Sequence, residues 1–112
     1  MFPKKNRLAK DADIKRVLSA RRSFFTPFLT MKVVLSPLGR PRITIVVSTK
    51  VSKLAVKRNR LKRVIRSEIQ PLLSLLPSVD MLFRVKPGIL GQDESRIRSE
   101  LRFLLNKLKL LK

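Results

Sequence analysis

Between Lys50 and Arg66 the chain reads Lys-Val-Ser-Lys-Leu-Ala-Val-Lys-Arg-Asn-Arg-Leu-Lys-Arg-Val-Ile-Arg, and this is where residue types and spacing could do chemistry. Laid on a helix of about 3.6 residues per turn from Ala55 onward, Leu61, Val64, Ile65 and Leu72 fall in one apolar arc. Arg58, Lys62 and Arg66 are four apart and form a ridge along one side, Asn59 and Arg63 form a second row beside it, and Arg60 lies on the far edge. Lys57 and the preceding Lys50 and Lys53 extend the cationic side. Like charges at this spacing destabilise an isolated helix, and an anion that bridges them reverses the sign of that effect. Arginine can chelate phosphate through two parallel hydrogen bonds, and Asn59 adds a donor and an acceptor able to reach phosphate, ribose or a base edge. The competing reading is a solvated cationic face that only confers solubility, which is the usual meaning of a basic run. Asn59 inside the run and the lack of a nearby acid favour RNA. Glu68 falls within the apolar arc, which requires an edge position or an internal partner.

The whole chain repeats the signal. Its 112 residues carry 27 Lys and Arg against 7 Asp and Glu, a net charge of +20. No carboxylate occurs between Asp13 and Glu68, so few of the cations there can be neutralised from within. Self-repulsion of this size makes a polyanionic partner the natural inference. An apolar fraction of 44% is enough for a globular core. With no Cys and no His, disulfides, Cys/His zinc sites, thiol nucleophiles and histidine acid–base chemistry are excluded. The basic start Met1-Phe2-Pro3-Lys4-Lys5 has no apolar run behind it, so a secretory signal is not expected. No apolar stretch approaches membrane-spanning length. A soluble cytoplasmic protein is the expectation.

The elements that must position these residues follow from pattern. The length suits a single domain over 1–112, with residues 1–10 expected as a flexible basic arm. Asp11 can cap a short helix to about Ala20, with Ile14, Val17 and Leu18 as its apolar face. Phe28 to Leu35 reads as a strand, Ser36 to Pro41 as turn chemistry, and Ile43 to Ser48 as the returning strand of a hairpin. In that second strand Ile43, Ile45 and Val47 share one face, and Thr44, Val46 and Ser48 the other. The basic helix runs from Ala55 to about Leu73, with a kink or early end at Pro71. Met81 to Lys86 is a short strand closed by Pro87-Gly88. Asp93 or Ser95 caps a last helix whose stripe of Ile97, Leu101, Leu104, Leu105, Leu108 and Leu111 packs on the sheet, with Arg98, Arg102, Lys109 and Lys112 away from it. The fold class expected is α+β, a small sheet with helices against it in the order α-β-β-α-β-α.

The Lys50–Arg66 segment resembles the signature of the protein subunit of bacterial ribonuclease P. That family carries an Arg-Asn-Arg core preceded by Ala and followed by Lys-Arg and a further Arg; here these are Ala55, Arg58-Asn59-Arg60, Lys62-Arg63 and Arg66. Asn6-Arg7-Leu8 is similar to the family's start, Arg42 to Lys50 to its central strand and basic loop, and Lys86-Pro87 to the end of a later strand. The resemblance implies a small α/β sandwich with the basic helix in a left-handed crossover between parallel strands. It implies a protein without catalytic residues of its own. A partner RNA cuts the 5′ leader from precursor tRNA using Mg²⁺ held mainly by that RNA and the substrate, with no obligatory protein partner. It also implies RNA contact through Arg58, Asn59 and Arg60, and a leader cleft between the first helix and the sheet lined by Ile14, Leu18 and Met31. Aliphatic side chains stand at those three positions where the family has aromatics, and plain core is an equal reading of Ile14 and Leu18. In the loop, Thr49 replaces a usual Lys, and Ser52 stands where Gly is common.

Three other readings compete. A structural RNA-binding protein, such as a ribosomal one, has the same composition, and only the Arg-Asn-Arg segment separates the two. A self-sufficient nuclease needs clustered carboxylates for two metal ions, and no pair among the seven acids shows a recognisable spacing. A DNA-binding or membrane-surface protein could use a basic amphipathic helix, but in so short a chain the apolar side is needed for the core.

Overall fold

The computed structural model describes residues 2–108; Lys109, Leu111 and Lys112 of the expected last helix lie outside the described residues. The elements are α1 (Asp11–Leu18), β1 (Ser23–Phe25), β2 (Leu29–Leu35), β3 (Arg42–Val46), α2 (Ala55–Ile69), β4 (Val79–Val85) and α3 (Glu94–Asn106). This is the expected order with one strand, β1, added. Three residues are too few to show alternation, which is why β1 has no signal in the sequence.

The four strands form one sheet in the order β1-β2-β4-β3. The hairpin expected between β2 and β3 does not form. Instead β4 lies between them, antiparallel to β2 from Leu29 opposite Val85 to Leu35 opposite Val79, and parallel to β3 from Arg42 opposite Asp80 to Val46 opposite Arg84. Turn residues after β2 reverse the chain, but they do not choose its lateral neighbour. The parallel neighbours β3 and β4 are joined by α2, the long connection that parallel pairing demands.

Strand alternation sends the sheet's side chains to two faces. Leu29, Met31, Val33, Ile43, Met81, Phe83 and Val85 point to one face and bury themselves against Leu61, Val64, Ile65 and Ile69 of α2 and Ile97, Leu101 and Leu104 of α3. On the other face Leu82 packs with Leu8 and Val17, flanked by Ile14, Leu18, Val34 and Val46, under α1.

The ends of the helices have local causes. Asp11 is the first residue of α1 and not its cap, because Lys10 holds the extended N-cap position and makes no side-chain cap. Asp11 and Asp13 in the first turn complement the helix dipole. At its other end Lys32 Nζ donates to Leu18 O at 2.8 Å. α2 stops at Ile69, and Pro71 carries the chain into a 3₁₀ turn over Gln70–Leu75, as the proline required. After β4 the chain turns at Gly88, whose φ of 97° is one that a side chain rarely adopts.

The segment expected as a loose arm is instead packed. Phe2 and Asn6 are buried, Lys4–Asn6 forms a 3₁₀ turn, Asn6 Nδ2 donates to Pro41 O at 2.8 Å, and Leu8 N–H donates to Ile43 O at 3.0 Å. The apolar side chains of Phe2 and Leu8 tie it down. Among the described residues no helix is long and apolar enough to cross a membrane.

Candidate nucleic-acid interface

α2 presents two opposed surfaces. Leu61, Val64, Ile65 and Ile69 are buried in the core, each contributing roughly 1.5–3 kcal/mol relative to exposure. Leu72, placed in the same arc, is half-buried beyond the helix end. The core contact is what holds the helix, because its electrostatics work against it. No acid lies in its first turn and no side chain caps it, while Lys57 and Arg58 crowd the positive end of the dipole. The ridge of Arg58, Lys62 and Arg66 adds like-charge repulsion at four-residue spacing.

The outward residues are placed as follows. Lys57, Asn59, Arg60 and Arg63 are exposed, and Arg58, Lys62 and Arg66 are half-buried. Arg58 Nη1 donates to Ser52 O at 2.8 Å, which ties the preceding loop to the helix. Val51 is buried under that loop, and the Ser48 and Ser52 hydroxyls accept the Lys50 and Leu54 N–H groups. Lys50 and Lys53 are thereby held out in solvent. Lys62 and Arg66 face a groove shared with Arg7, Leu8, Ile14 and Thr44. Lys57 and Arg60 face the opposite side, toward Leu90, Asp93 and Glu94.

One carboxylate, Glu94, reaches this surface among the described residues, 3.3 Å from Arg60. Lys50, Lys53, Lys57, Arg58, Lys62, Arg63 and Arg66 have none within 4.0 Å among the described residues. Other acids are spent inside the fold. Glu68 accepts from Arg98 at 2.9 Å and Arg102 at 2.6 Å, the internal partners that its place in the apolar arc required. Burial works against its charged form, but those hydrogen bonds and the two positive charges outweigh it and lower its pKa. Asp80, 0% exposed, accepts from Arg42 Nε at 2.8 Å and Nη2 at 2.7 Å and pairs with Arg16 of α1. Asp13 is 3.1 Å from Arg42. Donation to Asp80 raises the Arg42 pKa against the opposing effect of burial. Among the described residues no group of three or more His, Cys, Asp or Glu could hold a metal ion.

Of the residues expected in a cleft between α1 and the sheet, Ile14 and Leu18 lie half-buried on α1. Met31 does not line that side. It is 0% exposed in the core against α2 and α3, because the register that pairs Met31 with Phe83 turns both away from α1. Its neighbour Lys32 and the exposed Arg84 occupy the α1 side. Strand alternation, applied with Val33 as an inward residue, is the signal that could have found them.

The Ribonuclease P family model matches residues 2–109. The chain belongs to the ribonuclease P protein family. It is 40% identical over 83 residues to the ribonuclease P protein component of Idiomarina loihiensis, a match covering 74% of this chain and 66% of that one. It is 32% identical over 108 residues to that of Nitrosomonas eutropha, covering 95% and 89%. The solved structure of the RNase P protein of Staphylococcus aureus superposes with a TM-score of 0.86 at 23% identity, covering 96% of this chain and 98% of that chain. The family fold is therefore present throughout the described residues, and the chain is a ribonuclease P protein subunit.

Proposed function

We propose that the chain binds the RNA of bacterial ribonuclease P through the outward side of α2 and assists it in removing the 5′ leader of precursor tRNA in the cytoplasm. The observation that carries this reading is the row of cations on α2 without carboxylate partners, held on a helix that its packing against the core keeps in place against their repulsion. Arg58, Asn59 and Arg60, with Lys57, Lys62, Arg63 and Arg66, neutralise phosphates of the catalytic RNA, and Lys50 and Lys53 extend the contact from the loop. Phosphate contacts position RNA without reading its sequence, so specificity comes from RNA shape and from the partner RNA. The leader runs on the α1 side of the sheet past Ile14 and Leu18. Bond cleavage belongs to the RNA and its Mg²⁺. The protein offers charge and position, and five of its seven carboxylates, Asp13, Glu68, Asp80, Glu94 and Glu100, are held by arginines.

The test is cleavage of a precursor tRNA by a bacterial ribonuclease P RNA at low Mg²⁺, with and without this protein. Correct 5′ maturation is expected only with both, because the protein's cations replace counterions that would otherwise screen the RNA. Replacing Arg63 and Arg66 by Ala should lower the slope of log affinity against log salt by about two, one for each phosphate that is no longer neutralised. No stimulation by a folded protein that still binds the RNA would point instead to a structural RNA-binding role.

A further inference from the structure

The turn at Gly88 folds the chain after β4 back against α2. A 3₁₀ turn over Ile89–Gly91 follows, and Asp93 holds the N-cap position of α3. Between this segment and α2 lies a cleft of about 440 Å³, within the range of small-ligand sites, roughly 300–1,000 Å³. Its floor is apolar, built from the buried Leu61 and Val64 of α2, Ile89, and Ile97 of α3, with the exposed Leu90 at the rim. Its two sides carry opposite charge. Lys57 and Arg60 stand on α2, and Gln92, Asp93 and Glu94 stand on the facing segment. The two acids differ. Glu94 is 3.3 Å from Arg60 and 3.7 Å from Arg98. Asp93 has no Lys or Arg nitrogen within 4.0 Å among the described residues, and its side chain does not cap α3. On a chain of net charge +20, this carboxylate beside an apolar floor is an unused acceptor.

We propose that this cleft receives one guanine nucleotide from an unpaired stretch of RNA. The base lies on the aliphatic floor with its pairing edge toward Asp93, and its phosphate sits on Lys57 and Arg60. A phosphate at Arg60 displaces Glu94, which keeps Arg98 as its partner. Sequence-specific recognition of RNA takes splayed-out bases by such edges. Guanine presents two adjacent donors there, N1–H and the N2 amino group, and a carboxylate accepts both in parallel, as it does from the fork of an arginine. On the other three bases an acceptor stands next to the donor and faces the second carboxylate oxygen, which repels it. The Gln92 amide adds a donor for the guanine O6. The inference goes beyond the phosphate contacts of α2, which carry no base information, and it takes from that reading only that RNA lies on α2.

The test uses the full chain and four short labelled RNA strands, uridine throughout except for a central G, A, C or U. Anisotropy titrations at one salt concentration should give the G strand a Kd roughly tenfold below the others. Asp93→Asn keeps a good N-cap residue and should erase that preference. Asp11→Asn makes the same charge change on α1 and should keep it. Lys57→Ala should weaken all four strands alike and leave the preference in place. Equal binding of the four strands, a preference for another base, or a G preference that survives Asp93→Asn overturns the proposal. Guanosine monophosphate alone should shift the methyl resonances of Ile89 and Leu90, and uridine monophosphate should not; identical shifts from both overturn the base assignment. If guanosine monophosphate shifts them while the four strands bind alike, the cleft takes a free nucleotide and the RNA strand is overturned. None of these measurements needs the catalytic RNA. A failure of tRNA maturation therefore sinks the function proposed above and not this site, and a failure of the G preference sinks this site and not that function.

Discussion

The two faces of the sheet are closed by different means. Against α2 and α3, of 15 and 13 residues, the sheet is apolar from Leu29 to Val85, and Phe83, Met31 and Met81 are fully buried. Against α1, of 8 residues, a single apolar cluster sits beside a buried ion network in which Asp80 receives Arg42 and Arg16. One short helix cannot cover a four-stranded sheet, so the α1 side is fixed by directed charge pairs and left partly open. The closed face holds the fold, and the half-open face retains polar positions that a partner can read.

The contrast can be broken most strongly on the closed side. Phe83→Ala removes a fully buried ring between two helices and should cost about 3–5 kcal/mol, read as a lower urea midpoint with the slope unchanged. A cost under about 1 kcal/mol would mean that the face is loosely packed. On the α1 side, Asp80→Ala strands a buried guanidinium and should cost about 3 kcal/mol, the low end for a broken buried pair because Asp13 still reaches Arg42. Adding Arg42→Met should recover most of that loss, since the apolar replacement of both partners is often neutral. The same double change on the closed face has no counterpart, which sharpens the difference.

The smallest effect joins α2 to α3. The folded pKa of Glu68 lies below its ordinary value of 4.5. Its stabilisation is therefore fully present above that value and is lost as the pH falls through the lower folded value. Thermal melts should show a loss below about pH 4.5 that is smaller in Glu68→Gln, which lacks the titrating group and is less stable than the unaltered chain by up to about 1 kcal/mol at neutral pH.

Much of this architecture is legible in the residues, and the failures have one character. α2 begins at Ala55 and ends before Pro71 because both signals are local, an apolar arc and a missing N–H. The alternation of Ile43 and Ile45 against Thr44 and Val46 is likewise local and correct. What is not legible is lateral. Nothing in Ser36 to Pro41 says that β4, some 40 residues on, will come between β2 and β3. Met31 alternates with Lys32 on local grounds, but which of the two faces meets α1 and which meets α2 and α3 is set by the neighbouring elements. The partners of Glu68, Arg98 and Arg102, are separated from it by a strand and a turn. In the same way Phe2 and Asn6 give the first residues a packed place that a basic composition hides.

The central position of β4 has a consequence for how the molecule comes into being. On a ribosome β2 and β3 are made first, yet neither can complete its ladder until Val79–Val85 has emerged. The contacts that close the sheet are distant in sequence, which slows folding. α2 is synthesised before the strand that anchors the sheet beneath it, at a time when its repelling charges have no core to oppose them. The polycation of α2 therefore emerges before the sheet that orders it and is open to any polyanion nearby, so an RNA that grips it early would act on the rate of folding as well as on its outcome.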